Sequence, residues 1–187
     1  HQRSLGCPGL WRNQMIWQMI WHSLLDFPPH SRHPAAMTDD AQSFMELAVT
    51  EAEQAAASGE VPVGAVLVSE TGEVLAQAGN RTEELGDPTA HAEMLVIQAA
   101  TTASGSPRLE NCDLYVTLEP CPMCATAISF ARLRRLYFGA FDPKGGGVEH
   151  GPQIYNQPTC HHAPEIYSGI EESRCSELLK DFFAQRR

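Results

Sequence analysis

Two short motifs constrain this chain more than any other feature of its sequence. The first is His91-Ala92-Glu93, and the second is Pro120-Cys121-Pro122-Met123-Cys124. One imidazole and two thiols provide three zinc ligands, and a site with three protein ligands leaves the fourth tetrahedral position open. An open position is typical of catalytic zinc sites, whereas structural sites are closed by a fourth ligand. The motifs therefore predict a catalytic zinc site held by His91, Cys121 and Cys124.

Each motif is expected to begin a helix. Apolar residues recur at helical spacing over residues 90–102, and Pro122 suits the first position of a helix over residues 122–132. Side chains of a first turn lean toward the helix N-terminus, so two such helix ends can bring their ligands to one point. The partial positive charge at both ends favours thiolate over thiol.

Glu93 has a clear chemical role beside such a site. Zinc lowers the pKa of a bound water to about 7 in favourable sites, so a hydroxide nucleophile is available at neutral pH. A neighbouring carboxylate can take the proton of that water and deliver it to a ring nitrogen as ammonia leaves. H-x-E followed by P-C-x-x-C is a recognised signature of zinc deaminases that act on bases. We therefore predict hydrolytic deamination of a nucleobase, with Glu93 carrying the proton.

Either motif alone is compatible with different chemistry. A C-x-x-C pair also occurs as a redox pair, as half of a structural zinc site, or as two buried small residues. A closed zinc site would need a fourth ligand, for which the candidates are Cys112, Cys160, His161, His162 and Cys175. None of them is favoured, and Cys112 is interpreted as a residue near the edge of a strand.

Length and charge narrow the class of protein. A chain of 187 residues with 43% hydrophobic content is long enough for one domain with a tail. The net charge of -10 argues against binding nucleic acid over the whole surface, so any such contact is expected to use a local patch. Reduced cysteines and a cytoplasmic location fit a chain of this size better than a disulfide framework.

The first 36 residues differ from the rest and contain every tryptophan of the chain. The apolar run over residues 15–25 is shorter than the roughly 20 residues that span a bilayer, so no membrane association is predicted. A secretory signal is disfavoured because no convincing cleavage site follows. We expect residues 1–36 to be a disordered, non-catalytic extension, Met37 to be the natural start, and residues 37–187 to form the catalytic domain.

After Met37, helical and strand patterns alternate, which predicts an α/β fold. A helix is expected between Thr38, as its cap, and Gly59. Further helices are predicted at 90–102, 122–132 and 171–185, strands at 63–69, 74–78, 113–118, 136–139 and 166–168, and loops at 80–89 and 142–151.

From about Phe44 to Arg187, the sequence resembles the bacterial tRNA-specific adenosine deaminases (TadA type) of the cytidine-deaminase-like superfamily. The resemblance is carried by residues 60–66, 80–81, 87–93, 115–124, 138–140, 142–146, 182–183 and 186–187. It implies a three-layer α/β/α sandwich around a five-stranded mixed sheet. It also implies Zn²⁺ as cofactor, one ion per subunit, and a homodimer in which both subunits shape the RNA site. The implied reaction converts the wobble adenosine of a tRNA anticodon stem-loop to inosine.

The resemblance also implies roles for individual residues. Asn80 corresponds to the residue that hydrogen-bonds the flipped adenine, and Val63 to part of the pocket wall. The backbone of Ala92 is expected near the reacting carbon, as is that of Cys121. Asp142 and Lys144 correspond to loop contacts with RNA. An anticodon loop is already single-stranded, so its base leaves the stack at little cost.

Basic residues suggest where RNA could bind. They are Arg132, Arg134, Arg135, Lys144, Arg186 and Arg187. The first three could equally form an ordinary solvated helix end stabilised by the helix dipole. Phe182 and Phe183 could stack on bases or pack into the core. Residues 147–151 and 160–162 depart from the best-known bacterial pattern, which affects RNA recognition rather than the chemistry.

The sequence is also compatible with two rival functions. One is a deaminase of a free base or nucleoside, such as guanine, cytosine or adenine, which would share the zinc site. The other is a non-catalytic zinc-containing partner subunit that binds RNA. Glu93 argues against the second rival, since such a subunit would have little reason to keep that carboxylate.

Overall fold

A mixed five-stranded sheet forms the centre of the computed structural model, which describes residues 39–186. The predicted extension over residues 1–36 and the proposed cap Thr38 lie outside the described residues. The elements, in chain order, are α1 (Asp39–Ala57), β1 (Gly64–Ser69), β2 (Val74–Gly79), α2 (Thr82–Leu85), α3 (Ala92–Ser104), β3 (Cys112–Leu118), α4 (Pro122–Ala131), β4 (Arg135–Ala140), a 3₁₀ turn (Ile154–Asn156), β5 (Glu165–Ser168) and α5 (Glu172–Ala184).

The strands lie in the order β2-β1-β3-β4-β5. β1 pairs antiparallel with both β2 and β3, whereas β3, β4 and β5 run parallel. The central strands β1 and β3 are buried on both faces, which explains the apolar run of β1. β3 also buries two polar residues, Asp113 and Thr117, and both are hydrogen-bonded. The parallel strands end at the same edge, and the second motif follows directly after β3.

Helices cover both faces of the sheet, as predicted for a three-layer α/β/α sandwich. On one face, α3 and α4 bury an apolar cluster that includes Leu67, Val96, Leu114 and Ile128. On the other, α1 packs so close to β1 that a Cβ at Gly64 would collide with the backbone of Ala48. That contact explains a glycine within an otherwise apolar strand.

The face covered by α1 and α5 carries a row of aromatic rings. Tyr115, Tyr137 and Tyr167 occupy the same register on β3, β4 and β5. Neighbouring rings are stacked, with centroids 4.4 Å and 4.7 Å apart. Phe44 of α1 meets Tyr115 at 5.3 Å. These contacts join the parallel half of the sheet to the first helix.

The predicted elements correspond to observed ones, with two exceptions. The predicted loop over residues 80–89 contains the short helix α2, and residues 154–156 form a 3₁₀ turn that was not predicted. Both are too short to show an apolar period in sequence. Within residues 39–186, no helix combines the length and the apolar character needed to cross a membrane.

Candidate metal centre

Three ligand atoms from the two motifs meet at one point. Nδ1 of His91 lies 3.7 Å from Sγ of Cys121 and 3.5 Å from Sγ of Cys124. All three atoms lie within 4.8 Å of one another. The structure therefore brings together the three residues that the motifs predict as ligands.

These distances fit zinc. Ligand bonds of about 2.3 Å to sulfur and about 2.0 Å to nitrogen, set at a tetrahedral angle, place sulfur and nitrogen about 3.5 Å apart. The two observed nitrogen–sulfur distances, 3.7 Å and 3.5 Å, are close to that value. The donor atoms are also those that zinc prefers, and a set of three leaves one position open.

Local structure explains the convergence. His91 immediately precedes α3 and Cys121 immediately precedes α4, and both have extended backbone conformations. Pro122 occupies the first turn of α4, where its missing N–H leaves no hydrogen bond unmade. Cys124 follows in the same turn. The ligands thus lie at two helix N-termini, whose partial positive charge stabilises thiolates.

The two thiols compete for ionisation. A hydrogen bond from Cys124, with help from His91, lowers the pKa of Cys121 to about 4. The same thiol–thiol hydrogen bond, together with burial, raises the pKa of Cys124. The pKa of His91 is raised, chiefly by its hydrogen bond with Cys121. A divalent cation would remove this competition, because coordination to a metal deprotonates a thiol outright.

Glu93 lies in the first turn of α3 beside these ligands. Its side chain interacts with the thiol of Cys124, and only 3% of the residue is exposed. Burial raises the pKa of Glu93. Among residues 39–186, no group makes a hydrogen bond to its buried Oε2. A buried carboxylate oxygen without a partner is costly, so it points to a ligand or water in the site.

Three predicted substrate contacts lie around this centre. The N–H of Asn80 donates to the carbonyl of Val63 at 2.9 Å, and the N–H of Arg81 donates to the carbonyl of Ala90 at 3.0 Å. These bonds hold the end of β2 beside the start of α3. Val63 and Ala92 are both buried in the apolar cluster under the site.

Glu60 is a buried residue whose role the motifs do not reveal. Its carboxylate accepts hydrogen bonds from the N–H groups of Glu83 and Glu84, at 3.0 Å and 2.8 Å. It thereby stabilises the start of α2. It also accepts bonds from the side chains of Asn80 and Thr82. Nδ2 of Asn80 donates to Oγ1 of Thr82 at 3.2 Å and reaches Glu60 at 3.5 Å, so Thr82 and Glu60 together orient the Asn80 side chain.

The glycine-rich loop over residues 142–150 lies against the second ligand motif, since the N–H of Gly147 donates to the carbonyl of Pro120 at 2.8 Å. Asp142 is buried, and its Oδ1 accepts hydrogen bonds from the N–H groups of Lys144 and Gly145. Burial raises the pKa of Asp142. This carboxylate therefore shapes the loop that bears Lys144, and the contact of either residue with RNA stays a prediction.

The predicted basic cluster is mostly neutralised by acidic partners. Arg134 makes two hydrogen bonds to Asp113, at 2.8 Å and 2.9 Å, and Arg135 bonds to Glu165 at 2.9 Å. Arg132 is exposed just after α4. The pairing supports the structural interpretation of Arg134 and Arg135.

The remaining predicted residues lie outside the ligand cluster. The three-residue cluster found in the described part of the chain contains none of the candidate fourth ligands Cys112, Cys160, His161, His162 and Cys175. At the end of α5, Phe182 and Phe183 are half-buried and contact each other edge to face. The guanidinium of Arg186 lies 3.6 Å from the ring centroid of Phe182.

Comparison with known proteins agrees with this geometry. A family model described as the cytidine and deoxycytidylate deaminase zinc-binding region matches residues 38–140. The tRNA-specific adenosine deaminase of Agrobacterium fabrum is 61% identical over 144 residues, which cover 77% of this chain and 94% of that protein. The chain belongs to the tRNA-specific adenosine deaminase family. The tRNA-specific adenosine deaminase of Bacillus subtilis is 46% identical over 151 residues, which cover 81% of this chain and 92% of that protein.

Solved structures place this deaminase in the same fold. One, from work on A-to-I editing by tRNA:A34 deaminases at the wobble position, is 62% identical with a TM-score of 0.72. The match covers 73% of this chain and 99% of that chain. A guanine deaminase from Bacillus subtilis is 32% identical with a TM-score of 0.54, covering 80% and 94%. The family and the three-ligand cluster identify a zinc-dependent deaminase.

Proposed function

We propose that this deaminase converts adenosine to inosine at the wobble position of a tRNA anticodon. The observation that carries the proposal is the cluster of His91, Cys121 and Cys124 beside the unpartnered carboxylate oxygen of Glu93. The 61% identity to a tRNA-specific adenosine deaminase supports this substrate. So does the similarity to the structure studied for A-to-I editing.

In this proposal, His91, Cys121 and Cys124 hold the zinc ion. Bound zinc supplies positive charge that lowers the pKa of a water molecule. Glu93 accepts one proton from the attacking water and delivers it to a ring nitrogen of the purine. It then takes the second proton from the hydroxyl group added to the ring carbon and passes it to the amine, which leaves as ammonia. Its raised pKa suits that work, because a general acid and base is most effective when its pKa is close to the operating pH.

Asn80, Val63 and Ala92 are proposed to bind the adenine. Thr82 and Glu60 bind the Nδ2 group of Asn80, so its amide is oriented for a hydrogen bond with a base. Val63 and Ala92 supply an apolar surface at the start of α3. Asp142 and Lys144 are proposed as RNA contacts in the loop over residues 142–150.

The proposed partners are a tRNA anticodon stem-loop and a second copy of the chain. A surface between α3 and α4 includes Ile97, Ala127 and Phe130, and Phe130 is 74% exposed. An aromatic side chain this exposed supports a homodimer, because apolar surface patches often mark interfaces. We also propose that the enzyme is cytoplasmic and that residues 37–187 form its deaminase domain.

The rival substrate is a free base such as guanine. Similarity to a guanine deaminase favours this rival, but that protein is 32% identical, whereas the tRNA-specific adenosine deaminase of Agrobacterium fabrum is 61% identical. The test compares inosine formation in an anticodon stem-loop bearing a wobble adenosine with ammonia release from free guanine, cytosine and adenine. The proposal expects inosine in the stem-loop and little ammonia from free bases. The reverse pattern would establish the free-base enzyme.

A further inference from the structure

Glu119 is a buried carboxylate at the junction between β3 and the second ligand motif. Its Oε1 accepts hydrogen bonds from the backbone N–H groups of Val148, Glu149 and His150, at 3.2, 2.9 and 2.9 Å. Its Oε2 accepts the N–H of Asp142 at 3.0 Å and lies 2.7 Å from Nδ1 of His150. One side chain therefore binds both ends of the loop over residues 142–150.

The loop is closely fitted around this carboxylate. A Cβ at Gly146 would lie 2.5 Å from Cδ of Glu119, so any larger residue there would displace one of them. The N–H of Gly147 donates to the carbonyl of Pro120 at 2.8 Å. A Cβ at Gly147 would lie 2.7 Å from Pro122. The middle of the loop is thus packed against the start of α4.

The same contacts extend to the next part of the wall. The carbonyl of Gly147 accepts the N–H of Ile154 at 2.7 Å, which places the 3₁₀ turn. Tyr155 of that turn packs against the apolar cluster that contains Val63 and Ala92. Glu119 is therefore connected, through the loop, to the start of α4 and to the 3₁₀ turn.

We propose that Glu119 is a positioning residue. It holds the loop over residues 142–150, which bears the proposed RNA contacts Asp142 and Lys144, in a fixed position relative to the zinc ligands. A buried carboxylate is costly to desolvate, and its hydrogen bonds here go to the loop rather than to the core. The inference rests on the proposed function, because Asp142 and Lys144 are RNA contacts only if the substrate is RNA. Glu119 touches neither substrate nor metal in this role.

The first test is E119Q in the full chain loaded with zinc. The amide keeps the size of the side chain but presents an NH2 group where backbone N–H groups require an acceptor. We expect KM for a wobble-adenosine stem-loop to rise roughly tenfold, because loop N–H groups lose their buried acceptor. The zinc content, and kcat at saturating RNA, should stay near those of the wild type. Hydrogen exchange should accelerate at the amides of residues 148–150.

Two further variants separate positioning from general destabilisation. G146A disturbs the same contact from the loop side and should reproduce the rise in KM. D113N is the matched control, because Asp113 is a buried carboxylate on β3, the strand that precedes Glu119, and it bonds to Arg134 instead of the loop. It should lower stability and leave KM for RNA unchanged.

Several results would overturn the inference. An E119Q protein with wild-type KM and unchanged exchange would show that the loop does not depend on Glu119. A variant that loses zinc, and loses kcat in proportion, would assign Glu119 to the metal site. If neither variant folds, exchange in the wild type decides: unprotected amides at residues 148–150 contradict the inference. A wild-type chain inactive on the stem-loop would instead refute the proposed function.

Discussion

Nδ1 of His91 lies 3.5 Å from Sγ of Cys124, although 33 positions separate the two residues in sequence. The contact exists because α3 and α4 begin side by side on the same face of the sheet. His91 immediately precedes α3, and Cys124 lies in the first turn of α4. The positions of the metal-ligating side chains therefore depend on how α3 and α4 pack against the sheet, rather than on a single local loop.

Removing one ligand should remove the metal. In C124A, two protein ligands remain, so we expect zinc content and deaminase activity to fall together. Elemental analysis of the purified protein measures the zinc, and C112A is the control because Cys112 is a buried thiol outside the cluster. A fully loaded C124A protein would contradict the role of Cys124.

Replacing Glu93 should separate catalysis from metal binding. E93A is expected to keep zinc and fold but to lose about 10² to 10⁴ in turnover, the usual contribution of a general acid and base. Single-turnover inosine formation measures the effect. E84A, at an exposed carboxylate outside the site, is the control. Near-normal turnover of E93A would refute the assignment.

Acid should displace the zinc. Thiol and imidazole ligands bind metal only when deprotonated, so protons compete with zinc. The pKa values of His91 and Cys124 are raised and that of Cys121 is lowered to about 4, so protons compete with zinc mainly at His91 and Cys124. Zinc should therefore be retained near neutral pH and lost as pH falls. Dialysis at stepped pH followed by elemental analysis tests this, and zinc content that does not change with acidity would disprove it.

Arg134 should contribute to stability rather than to RNA binding. R134A leaves the buried carboxylate of Asp113 without its main partner, so we expect a loss of about 1–2 kcal/mol in the free energy of unfolding, since the pair is only partly buried. Chemical denaturation measures the loss. KM for the stem-loop should stay unchanged. A large rise in KM at normal stability would place Arg134 in the RNA site.

Deleting residues 1–36 should leave stem-loop activity unchanged. The family model begins at residue 38, and the three ligands His91, Cys121 and Cys124 all lie within the residues that it matches. Comparing kcat/KM of the shortened and full chains provides the measurement. A marked loss would assign the N-terminal segment a part in catalysis or RNA binding.

The zinc ligands and the main elements could be predicted because their signals are local. His91 and Cys124 belong to short motifs, and the strands and longer helices show apolar periods within single segments. The open metal position also follows from the identity of three residues. The five-stranded mixed sheet was implied by the family resemblance, whereas the order of its strands was not predicted and is seen only in the structure.

The hydrogen-bonding roles of Glu60 and Glu119 could not be predicted in the same way. Their partners lie 20 to 31 positions away, in loops whose course depends on the completed fold. A buried glutamate also has the same sequence appearance as an exposed one. The pairing of Arg134 with Asp113 likewise depends on how β3 and β4 lie beside each other.

The row of Tyr115, Tyr137 and Tyr167 lies on the face of the sheet away from α3 and α4. Substitutions there that tighten packing against α1 or α5 could raise thermal tolerance without touching the ligands or the pocket. Engineering for robustness and engineering for new base preference can therefore proceed on separate sides of one scaffold.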